Sequence, residues 1–347
     1  MARLADRICA WSDIFGRVMA KRALVTGAGG FIGSHVVEAL VRGGRSVRAV
    51  VRYNSRNSWG WLDHLEPHVR EQVEVMASDV RDPNAMRVAM KDVQEVYHLA
   101  ALIGIPYSYH APDSYVETNI TGTLNVLQAA RDLGVERLLV TSTSEVYGTA
   151  LTVPITEDHP LQGQSPYSAS KIGADHMALS FHMSFGTPVT IVRPFNTYGP
   201  RQSARAVIPT IITQLLAGVE EIKLGSVDPT RDLVFVEDTA RAFVAIGDAS
   251  SLEGQVVNIA TEQEISVGDL AQMIMRIAGR TVAIRSSADR IRPDKSEVER
   301  LLGSAQRLRA ATDWSPSLSL QEGIERTVAW FKEPANRAGY KWQVYNV

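Results

Sequence analysis

The chain has 347 residues, of which 45% are hydrophobic and 21% charged, and its formal net charge is −2. This is the composition of a globular protein, and the length suits two lobes that share an interface. No apolar run approaches the about 20 residues that a membrane-spanning helix needs. Basic and acidic residues are interspersed, which excludes the broad positive face of a nucleic-acid-binding protein. We therefore expect neither a membrane nor a nucleic acid as a partner.

Cys9 is the single cysteine of the chain, so an intrachain disulfide and a cysteine-rich metal site are both excluded. This usage fits a reducing compartment, and we expect a cytoplasmic protein with no bound metal. Residues 1–18 contain basic residues but no apolar core of signal-peptide length, and Met19 directly precedes the first strand pattern. We interpret residues 1–18 as an extension outside the fold.

From Arg22 onward, short apolar runs alternate with amphipathic helical stretches. The first unit is an apolar run at 23–25, a glycine-rich turn and a helix over 32–42. Further strands are predicted at 47–51, 73–76, 93–98, 138–141 and 189–192, and helices at 118–133 and 168–185. This alternation predicts an α/β fold with a Rossmann-type, doubly wound parallel sheet covered on both faces.

After Arg193 the alternation becomes irregular, with strands predicted near 231–235 and 256–259 and helices near 209–217, 267–278 and 320–332. We expect a smaller α/β substrate-binding lobe woven from C-terminal segments. The predicted dinucleotide-binding lobe spans 19–193 plus about 232–262. The second lobe then spans 194–231 plus about 263–347.

The segment Thr-Gly-Ala-Gly-Gly-Phe-Ile-Gly at 26–33 lies between a predicted strand and a predicted helix. Gly27, Gly30 and Gly33 would allow a tight turn, a close approach of backbone to a pyrophosphate and close packing of helix on strand. The first helical N–H groups, from Phe31 and Ile32 onward, would face the anion. An ordinary glycine-rich turn is the alternative, and the strand–turn–helix context favours a nicotinamide dinucleotide site.

The second predicted strand ends in Val-Arg-Tyr-Asn at 51–54 and carries no carboxylate for a ribose 2′-hydroxyl. Arg52, with Arg56 nearby, therefore favours NADP over NAD, because an arginine can bind a 2′-phosphate. Asp79 and Val80, after the third strand, are expected at the adenine. Leu99, Ala100 and Ala101, after the fourth strand, are expected beneath the cofactor.

Tyr167 and Lys171 are four residues apart at the start of a predicted helix, so both side chains project from one face. An ammonium beside a phenol favours the phenolate and lowers its pKa from about 10, which suits removal of a hydroxyl proton as hydride leaves the same carbon. A Tyr-x-x-x-Lys pair alone is often an exposed amphipathic accident. Here it follows a dinucleotide fold at the expected distance, so we expect it to be catalytic.

Thr143, Ser144 and Glu145 follow the predicted strand 138–141, at the strand end where open α/β sheets bind ligands. Thr143 can donate to the oxygen that is oxidised, completing a set with Tyr167 and Lys171. Glu145 adds a carboxylate that simple hydride transfer does not need. A solvated loop acid or a helix-capping residue is the alternative interpretation of Glu145.

In combination these segments resemble the extended short-chain dehydrogenase/reductase family of nucleotide-sugar epimerases and dehydratases, over about residues 19–332. The resemblance rests on TGAGGFIG, YSASK, RPFNTYGP at 193–200, RDLVFVED at 231–238 and RPDKSEVER at 292–300. The Thr-Ser-Glu triplet resembles GDP-mannose 4,6-dehydratase and the NDP-hexose 4,6-dehydratases, although the dTDP-glucose enzymes have Asp where this chain has Ser144. Residues 52–62 and 105–110 look most like the N-acetylhexosamine 4,6-dehydratases of legionaminic-acid-type pathways.

The resemblance implies a tightly bound NAD(P) that is regenerated in each cycle. It implies that Tyr167 removes the C4 hydroxyl proton as the C4 hydride passes to the nicotinamide. Glu145 then removes the acidified C5 proton, water leaves C6 with help from Glu145 or Ser144, and the hydride returns to C6.

The resemblance also implies a diphosphate site in the second lobe and a homodimer. Arg231 and Arg300 would bind the diphosphate, with Asn196 donating to a phosphate and Arg201 as a further candidate. Val207 would line the base pocket. Helices near 115–133 and 168–185 would pair across a two-fold axis in a four-helix contact.

Three alternatives to a 4,6-dehydratase stay open. A UDP-glucuronate decarboxylase shares the Thr-Ser-Glu triplet and the C4 ketone but loses CO₂. A sugar 4-epimerase has no evident use for Glu145. A non-catalytic nucleotide-sensing protein on the same fold would not need Tyr167 and Lys171.

Overall fold

A computed structural model of the protein describes residues 21–345, so the predicted extension 1–18 lies outside the described residues. The strands within them are β1 (Arg22–Thr26), β2 (Ser46–Val51), β3 (Val73–Ala77), β4 (Glu95–His98), β5 (Arg137–Thr141), β6 (Val189–Pro194), β7 (Asn196–Tyr198), β8 (Glu221–Leu224), β9 (Thr230–Phe235), β10 (Val256–Ile259), β11 (Glu264–Ser266), β12 (Ala283–Ser286) and β13 (Arg300–Leu301).

The α-helices are α1 (Phe31–Arg42), α2 (Pro67–Arg70), α3 (Pro83–Ala89), α4 (Ile105–His110), α5 (Pro112–Tyr115), α6 (Gly122–Leu133), α7 (Pro166–Phe185), α8 (Val207–Leu216), α9 (Val236–Asp248), α10 (Val267–Ala278), α11 (Gln306–Ala311), α12 (Leu320–Lys332) and α13 (Pro334–Arg337). A π-helical turn, Val116–Thr121, joins α5 to α6. Short 3₁₀ turns lie at Gly60–His64, Ser144–Tyr147, Ser250–Leu252, Ala288–Arg290 and Asp294–Ser296.

The larger sheet has seven parallel strands in the order β10-β6-β5-β4-β1-β2-β3. The predicted Rossmann-type parallel sheet is thereby confirmed. The order reverses beside β1, where β2 lies on one side and β4 on the other. Loops leaving the carboxyl ends of β1 and β4 therefore diverge, and the crevice between them is where sheets of this kind bind ligands.

Helices cover both faces of this sheet, and each face has its own apolar core. On one face, α1 and α9 contribute buried residues such as Val37, Leu40 and Phe243. On the other face, α3, α6 and α7 contribute buried residues such as Met86 and Val126. Because helices shield both faces of the larger sheet from water, its strands appear in the sequence as continuous apolar runs and not as alternating apolar and polar residues.

The smaller lobe contains the remaining strands. β9 pairs with β7, β11 and β13, and β8 pairs with β12. A third apolar core joins α8, α10 and α12 around buried residues such as Ile212, Ile274 and Phe331. Residues 232–235, predicted to lie in the dinucleotide lobe, are part of β9, which hydrogen-bonds to β7, β11 and β13 and not to the larger sheet, while Val234 packs in the core beneath the larger sheet.

Among residues 21–345, no helix has both the length and the apolar content required to cross a bilayer.

Candidate active site

The turn between β1 and α1 is compact because it packs directly on the segment that follows β4. Gly27 has φ +67°, and a Cβ there would lie 2.9 Å from the backbone nitrogen of Ala100. A Cβ on Gly33 would lie 2.2 Å from the carbonyl oxygen of Gly27. Both positions therefore exclude a side chain, and the glycines at these sites have the packing role that a dinucleotide turn requires.

Thr26, the last residue of β1, ties the turn to β4. Its hydroxyl accepts hydrogen bonds from the N–H groups of Leu99 and Ala100, both at 3.1 Å, and contacts Nδ1 of His98 at 2.8 Å. Burial lowers the pKa of His98 to about 3, so this imidazole is neutral. The segment 98–101 is thus held against the glycine turn, and its predicted place beneath the cofactor stays a prediction.

The N-terminus of α1 is open to an anion. Gly30 is the N-cap residue, and no side chain caps the helix, so the N–H groups at Phe31 and Ile32 meet no capping oxygen. Free N–H groups at a helix start, beside two glycines that hold the turn close, fit the pyrophosphate of a dinucleotide.

The predicted adenosine end of the site has charges of both signs. Arg52 is exposed at the end of β2 and has no carboxylate partner among the described side chains. Arg81 donates to Asp79 at 2.7 Å and, as the largest cause, lowers the pKa of that carboxyl, with a smaller contribution from Arg52. Val80 is buried, and the neighbouring hydroxyl of Ser78 is buried with no partner among the described side chains. An unpartnered buried hydroxyl at this edge fits a site that accommodates a ligand.

Tyr167 and Lys171 lie in the first turns of α7. Ser165 caps this helix by accepting from the N–H of Ser168 at 3.1 Å, and Pro166 occupies the first helical position, so the capping chemistry fixes where the helix begins. Tyr167 and Lys171 are 7% and 3% exposed. The Lys171 ammonium donates to the carbonyl oxygen of Thr141 at 2.7 Å, which joins α7 to the end of β5.

The Thr-Ser-Glu triplet is brought to the same place by a 3₁₀ turn after β5. Thr143 caps that turn by accepting from the N–H of Glu145 at 3.2 Å, and its side chain lies close enough to Tyr167 to lower the pKa of that phenol. Ser144 is 2% exposed, whereas Glu145 is partly exposed. The structure therefore brings the five predicted catalytic residues together, with Glu145 the carboxylate that a ligand can reach.

Burial is the largest influence on the pKa of both Tyr167 and Lys171. Burial raises the pKa of Tyr167, the nearby Thr143 side chain lowers it only in part, and the Glu145 carboxylate raises it further. Burial also lowers the pKa of Lys171, opposed by Asp175. The ammonium is directed to the Thr141 carbonyl, and for these side chains the pKa of Tyr167 is raised. That Lys171 lowers the pKa of Tyr167 during the reaction stays a prediction.

The predicted diphosphate arginines are all paired. Arg231 contacts Glu297 at 3.2 Å, and Arg292, absent from the predicted set, shares the same Glu297 oxygen at 3.3 Å. Arg300 is 47% exposed in its side chain, and its Nε donates to the carboxylate oxygens of Glu264 at 3.1 and 3.0 Å. A bound diphosphate would either displace these carboxylates from the arginines or bind to the arginines beside them.

Arg201 is directed elsewhere. Its guanidinium contacts Glu38 of α1 at 2.7 Å and donates to the hydroxyl of Ser34 at 3.2 Å, so it holds the smaller lobe against α1. Asn196 starts β7 with a buried Oδ1 that has no partner among the described side chains. Val207 is the first residue of α8.

The sequence analysis missed Tyr115, which packs against Tyr167, and Arg205, which lies near Gly104 and Tyr115. The Tyr115 ring is 1% exposed and lies edge-on to Tyr167, with 6.2 Å between ring centroids. Arg205 lies close by, since a Cβ built on Gly104 would be 2.5 Å from its Nη1. Arg205 donates to the hydroxyl of Ser203 at 3.2 Å and has no carboxylate partner among the described side chains. In the sequence, these two residues are indicated only weakly, by the aromatic residues within 107–115 and by the second arginine of the loop 201–205.

A seven-stranded parallel sheet with a glycine turn at its switch point, and a Thr/Tyr/Lys set at the end of β5, defines a Rossmann-type enzyme of the short-chain dehydrogenase kind. The sequence profile described as GDP-mannose 4,6 dehydratase matches residues 24–327. The chain belongs to the extended short-chain dehydrogenase/reductase family of nucleotide-sugar dehydratases, decarboxylases and epimerases.

Relatives with different activities are similarly close. The chain is 34% identical over 317 residues to a dTDP-glucose 4,6-dehydratase of Streptomyces griseus, covering 90% of this chain and 94% of the relative. It is 31% identical over 329 residues to a UDP-N-acetyl-alpha-D-glucosaminuronate decarboxylase of Bacillus cytotoxicus, covering 92% and 100%.

Solved structures agree with this placement. A dTDP-glucose 4,6-dehydratase from Streptomyces venezuelae, crystallised with NAD, matches with a TM-score of 0.84 and 29% identity over 92% of this chain and 99% of that one. A UDP-glucuronic acid 4-epimerase from Bacillus cereus, in complex with UDP-glucuronic acid and NAD, matches with a TM-score of 0.81 and 26% identity over 90% and 99%. The predicted family is confirmed, and within it the reaction depends on the site.

Proposed function

We propose that this enzyme is a nucleotide-sugar 4,6-dehydratase, which converts an NDP-hexose or NDP-N-acetylhexosamine to its 4-keto-6-deoxy derivative. The observation that carries the proposal is the position of Glu145. It lies on the turn capped by Thr143, and both Thr143 and the charge of Glu145 influence the pKa of the Tyr167 phenol. A second acid–base group at the C4 oxidation centre is what elimination requires and what epimerisation leaves unused.

The proposed cofactor is NAD(P), which fits the glycine turn, the uncapped start of α1 and the NAD-bound solved relatives. Gly27, Gly30 and Gly33 would hold the pyrophosphate together with Phe31 and Ile32. When bound, the nicotinamide supplies the hydride acceptor for C4 and, once reduced, the hydride donor for C6.

The first step belongs to Tyr167, Thr143 and Lys171. Tyr167 removes the proton of the C4 hydroxyl, Thr143 hydrogen-bonds the same oxygen, and Lys171 supplies the positive charge that favours the phenolate. Because burial raises the Tyr167 pKa, the phenolate forms only with that support. Oxidation at C4 then makes the neighbouring C5–H acidic.

The second step belongs to Glu145. Its carboxylate removes the C5 proton, and as a carboxylic acid it protonates the departing C6 hydroxyl. Glu145 suits both transfers better than Ser144, because Ser144 is almost fully buried and a hydroxyl is the weaker acid. Return of hydride to C6 and of a proton to C5 completes the cycle.

The second candidate is a decarboxylase of a nucleotide-activated uronate. Arg205 favours it, because this arginine lies near Tyr115 and has no carboxylate partner among the described side chains. A guanidinium in that position could hold a C6 carboxylate.

Product mass separates the candidates. Purified protein is incubated with NAD or NADP and a panel of UDP-, GDP- and dTDP-sugars, including uronates. Dehydration lowers the product mass by about 18 units and decarboxylation by about 44, from the stoichiometry of each reaction. An unchanged mass with an altered C4 configuration would identify an epimerase and reject the dehydratase.

A homodimer through α6 and α7 is part of the proposal. Large apolar side chains are exposed on these helices or directly before them, including Val116, Leu133, Met183 and Phe185. Pairing across a two-fold axis would cover such residues. Sedimentation equilibrium of the wild type and of Met183→Glu tests this arrangement, and a monomeric wild type would reject it.

A further inference from the structure

A buried ion pair joins α7, the helix that carries Tyr167 and Lys171, to β6. Asp175 of α7 and Arg193 of β6 are 1% and 3% exposed. Nε and Nη2 of Arg193 both donate to Oδ2 of Asp175, at 3.1 and 2.9 Å. The proposed chemistry uses neither residue.

One end of this pair is connected to Lys171. Asp175 is one helical turn after Lys171, and its charge is the main influence that opposes the loss of the lysine proton. Ser142 donates to the same carboxylate at 2.8 Å and directly follows Thr141, whose carbonyl accepts from Lys171. Asp175 therefore acts on Lys171 both through its charge and through the strand end that the ammonium contacts.

The other end of the pair is connected to the turn that carries Glu145. Nη1 of Arg193 donates to the Tyr147 hydroxyl at 3.0 Å, and its guanidinium lies 4.9 Å from the centre of the Tyr147 ring. The Tyr147 hydroxyl donates in turn to Asn258 at 2.7 Å. Tyr147 closes the 3₁₀ turn Ser144–Tyr147, so Arg193 fixes that turn relative to α7.

This buried ion pair is expected to contribute little to the free energy of unfolding. Desolvating two charges costs several kcal/mol each, and buried ion pairs are often no more stabilising than apolar side chains of the same volume. In addition, Oδ1 of Asp175 is buried with no hydrogen-bond partner among the described side chains. An arrangement that leaves a carboxylate oxygen unpaired here needs a reason other than folding.

We propose that Asp175 and Arg193 are positioning residues that couple the two proposed half-reactions, by fixing the Lys171 helix and the Glu145 turn to each other. This inference rests on the proposed dehydratase function. Asp175 keeps Lys171 charged and in place for C4 oxidation. Arg193, through Tyr147, holds Glu145 in register with the sugar that Tyr167 has oxidised.

The charges around Lys171 make this role measurable. His98 of β4 is neutral, Tyr115 of α5 and Glu145 of the turn act on Tyr167, and Asp175 acts mainly on Lys171 and more weakly on Tyr167. Replacing Asp175 with asparagine removes that charge and lowers the Lys171 pKa. The lysine then loses its proton at a lower pH, so the basic limb of the rate profile for C4 oxidation moves to lower pH.

The deciding variant is Tyr147→Phe, which keeps the ring and the ion pair and removes only the hydroxyl. In single turnovers, C4 oxidation is measured as reduced nicotinamide and elimination as exchange of the C5 hydrogen in D₂O. We expect elimination to slow about tenfold or more while C4 oxidation stays within about twofold, because a small misplacement of Glu145 affects only the second step. Reduced cofactor then accumulates.

Tyr97→Phe is the matched control, since Tyr97 is also buried and its hydroxyl contacts Glu95, away from the network. It should keep the wild-type ratio of the two rates whatever its effect on thermal unfolding. For Asp175→Asn we expect the basic limb of the pH profile for C4 oxidation to lie about one pH unit lower than in the wild type. Asp238→Asn, which removes another buried carboxylate, should leave the limb in place.

Equal slowing of both half-reactions in Tyr147→Phe would overturn the coupling, because a purely structural contact affects them alike. If Asp175→Asn fails to fold, Tyr147→Phe decides alone. A wild type that oxidises C4 but eliminates nothing from any substrate would reject the dehydratase proposal instead. The Asp175→Asn shift in C4 oxidation would then still test the link to Lys171.

Discussion

The ammonium of Lys171 donates to the carbonyl oxygen of Thr141 at 2.7 Å, so the lysine of the Tyr-x-x-x-Lys pair is tied to the end of β5 and not to its tyrosine. Tyr167 lies close to Thr143, two residues further along that loop, whose side chain lowers the pKa of the phenol. The strand end therefore holds both members of the pair. We propose that Lys171 acts on the phenol during the reaction as a charge and not as a hydrogen-bond donor, in a buried site where charges have large effects.

Removing that charge should stop C4 oxidation. Lys171→Met keeps an unbranched apolar chain and leaves the buried phenol, whose pKa is already raised, without a cation. We expect the rate of reduced-nicotinamide formation in a single turnover to fall by about 10² to 10⁴. Tyr167→Phe should abolish it. Lys91→Met, at an exposed lysine, is the control, and a Lys171→Met enzyme within tenfold of the wild type would contradict the role.

Glu145→Gln should separate the two half-reactions. Glutamine has the size of glutamate but cannot take the C5 proton, so C4 oxidation proceeds and elimination slows by about 10² to 10⁴. The 4-keto sugar that keeps its C6 hydroxyl should accumulate and be detected by mass spectrometry. Glu66→Gln, at an exposed glutamate, should behave as the wild type. Near-normal turnover of Glu145→Gln would remove the basis of the dehydratase proposal.

The large sheet was predictable because its strands are dry on both faces and therefore appear as unbroken apolar runs. The helices α10 and α12 were predicted at 267–278 and 320–332, where the structure has them. The strands of the smaller lobe other than β9 gave no such signal. β13 has two residues, and its place beside β9 depends on pairing between distant segments.

The site was predictable where its chemistry is local in sequence. The glycine turn and the pair Tyr167 and Lys171 are short motifs, and the structure brings them to one edge of the sheet. The partners of the arginines depend on long-range packing, so the sequence did not show that Arg201 contacts α1. For the same reason it gave no hint that Arg205 lies near Tyr115.

Gly33→Ala should weaken cofactor binding. The new Cβ would lie 2.2 Å from the carbonyl oxygen of Gly27, so α1 must move away from the turn that would hold the pyrophosphate. We expect the Kd for NAD(P), measured by calorimetry, to rise about tenfold or more, consistent with loss of one good contact. Gly268→Ala is the control, because its Cβ would meet nothing closer than 3.5 Å. An unchanged Kd would place the pyrophosphate elsewhere.

Arg52 should set the preference between the two cofactors. It is exposed at the end of β2 and free of a carboxylate partner among the described side chains, so it is available to a 2′-phosphate. Arg52→Ala should weaken NADP binding about tenfold and leave NAD binding within about twofold, the difference being one charged hydrogen-bond contact. Arg70→Ala is the control. Tighter binding of NAD than NADP in the wild type would contradict the prediction.

His35 should make the fold sensitive to acid. This α1 residue contacts the carbonyl oxygen of Pro200 at 3.2 Å, and burial, with a smaller effect of Arg201, lowers its pKa to about 4 from an ordinary value of about 6.5. Because the folded-state pKa is the lower one, the stabilisation is fully present above pH 6.5 and is lost as pH falls through 4. The free energy of unfolding should fall by about 1.4 kcal/mol per pH unit within that window, or about 3 kcal/mol in all.

His35→Gln keeps an amide that can donate to Pro200 and removes the titration, so urea unfolding of this variant should show a shallower loss of stability between pH 6.5 and 4. His98, with a pKa of about 3, contributes to the same loss in both proteins, and the difference between them therefore isolates His35. His68→Gln, at an exposed histidine, should keep the wild-type slope. A His35→Gln slope equal to that of the wild type would mean that the imidazole is protonated without opening the contact between α1 and the Pro200 loop.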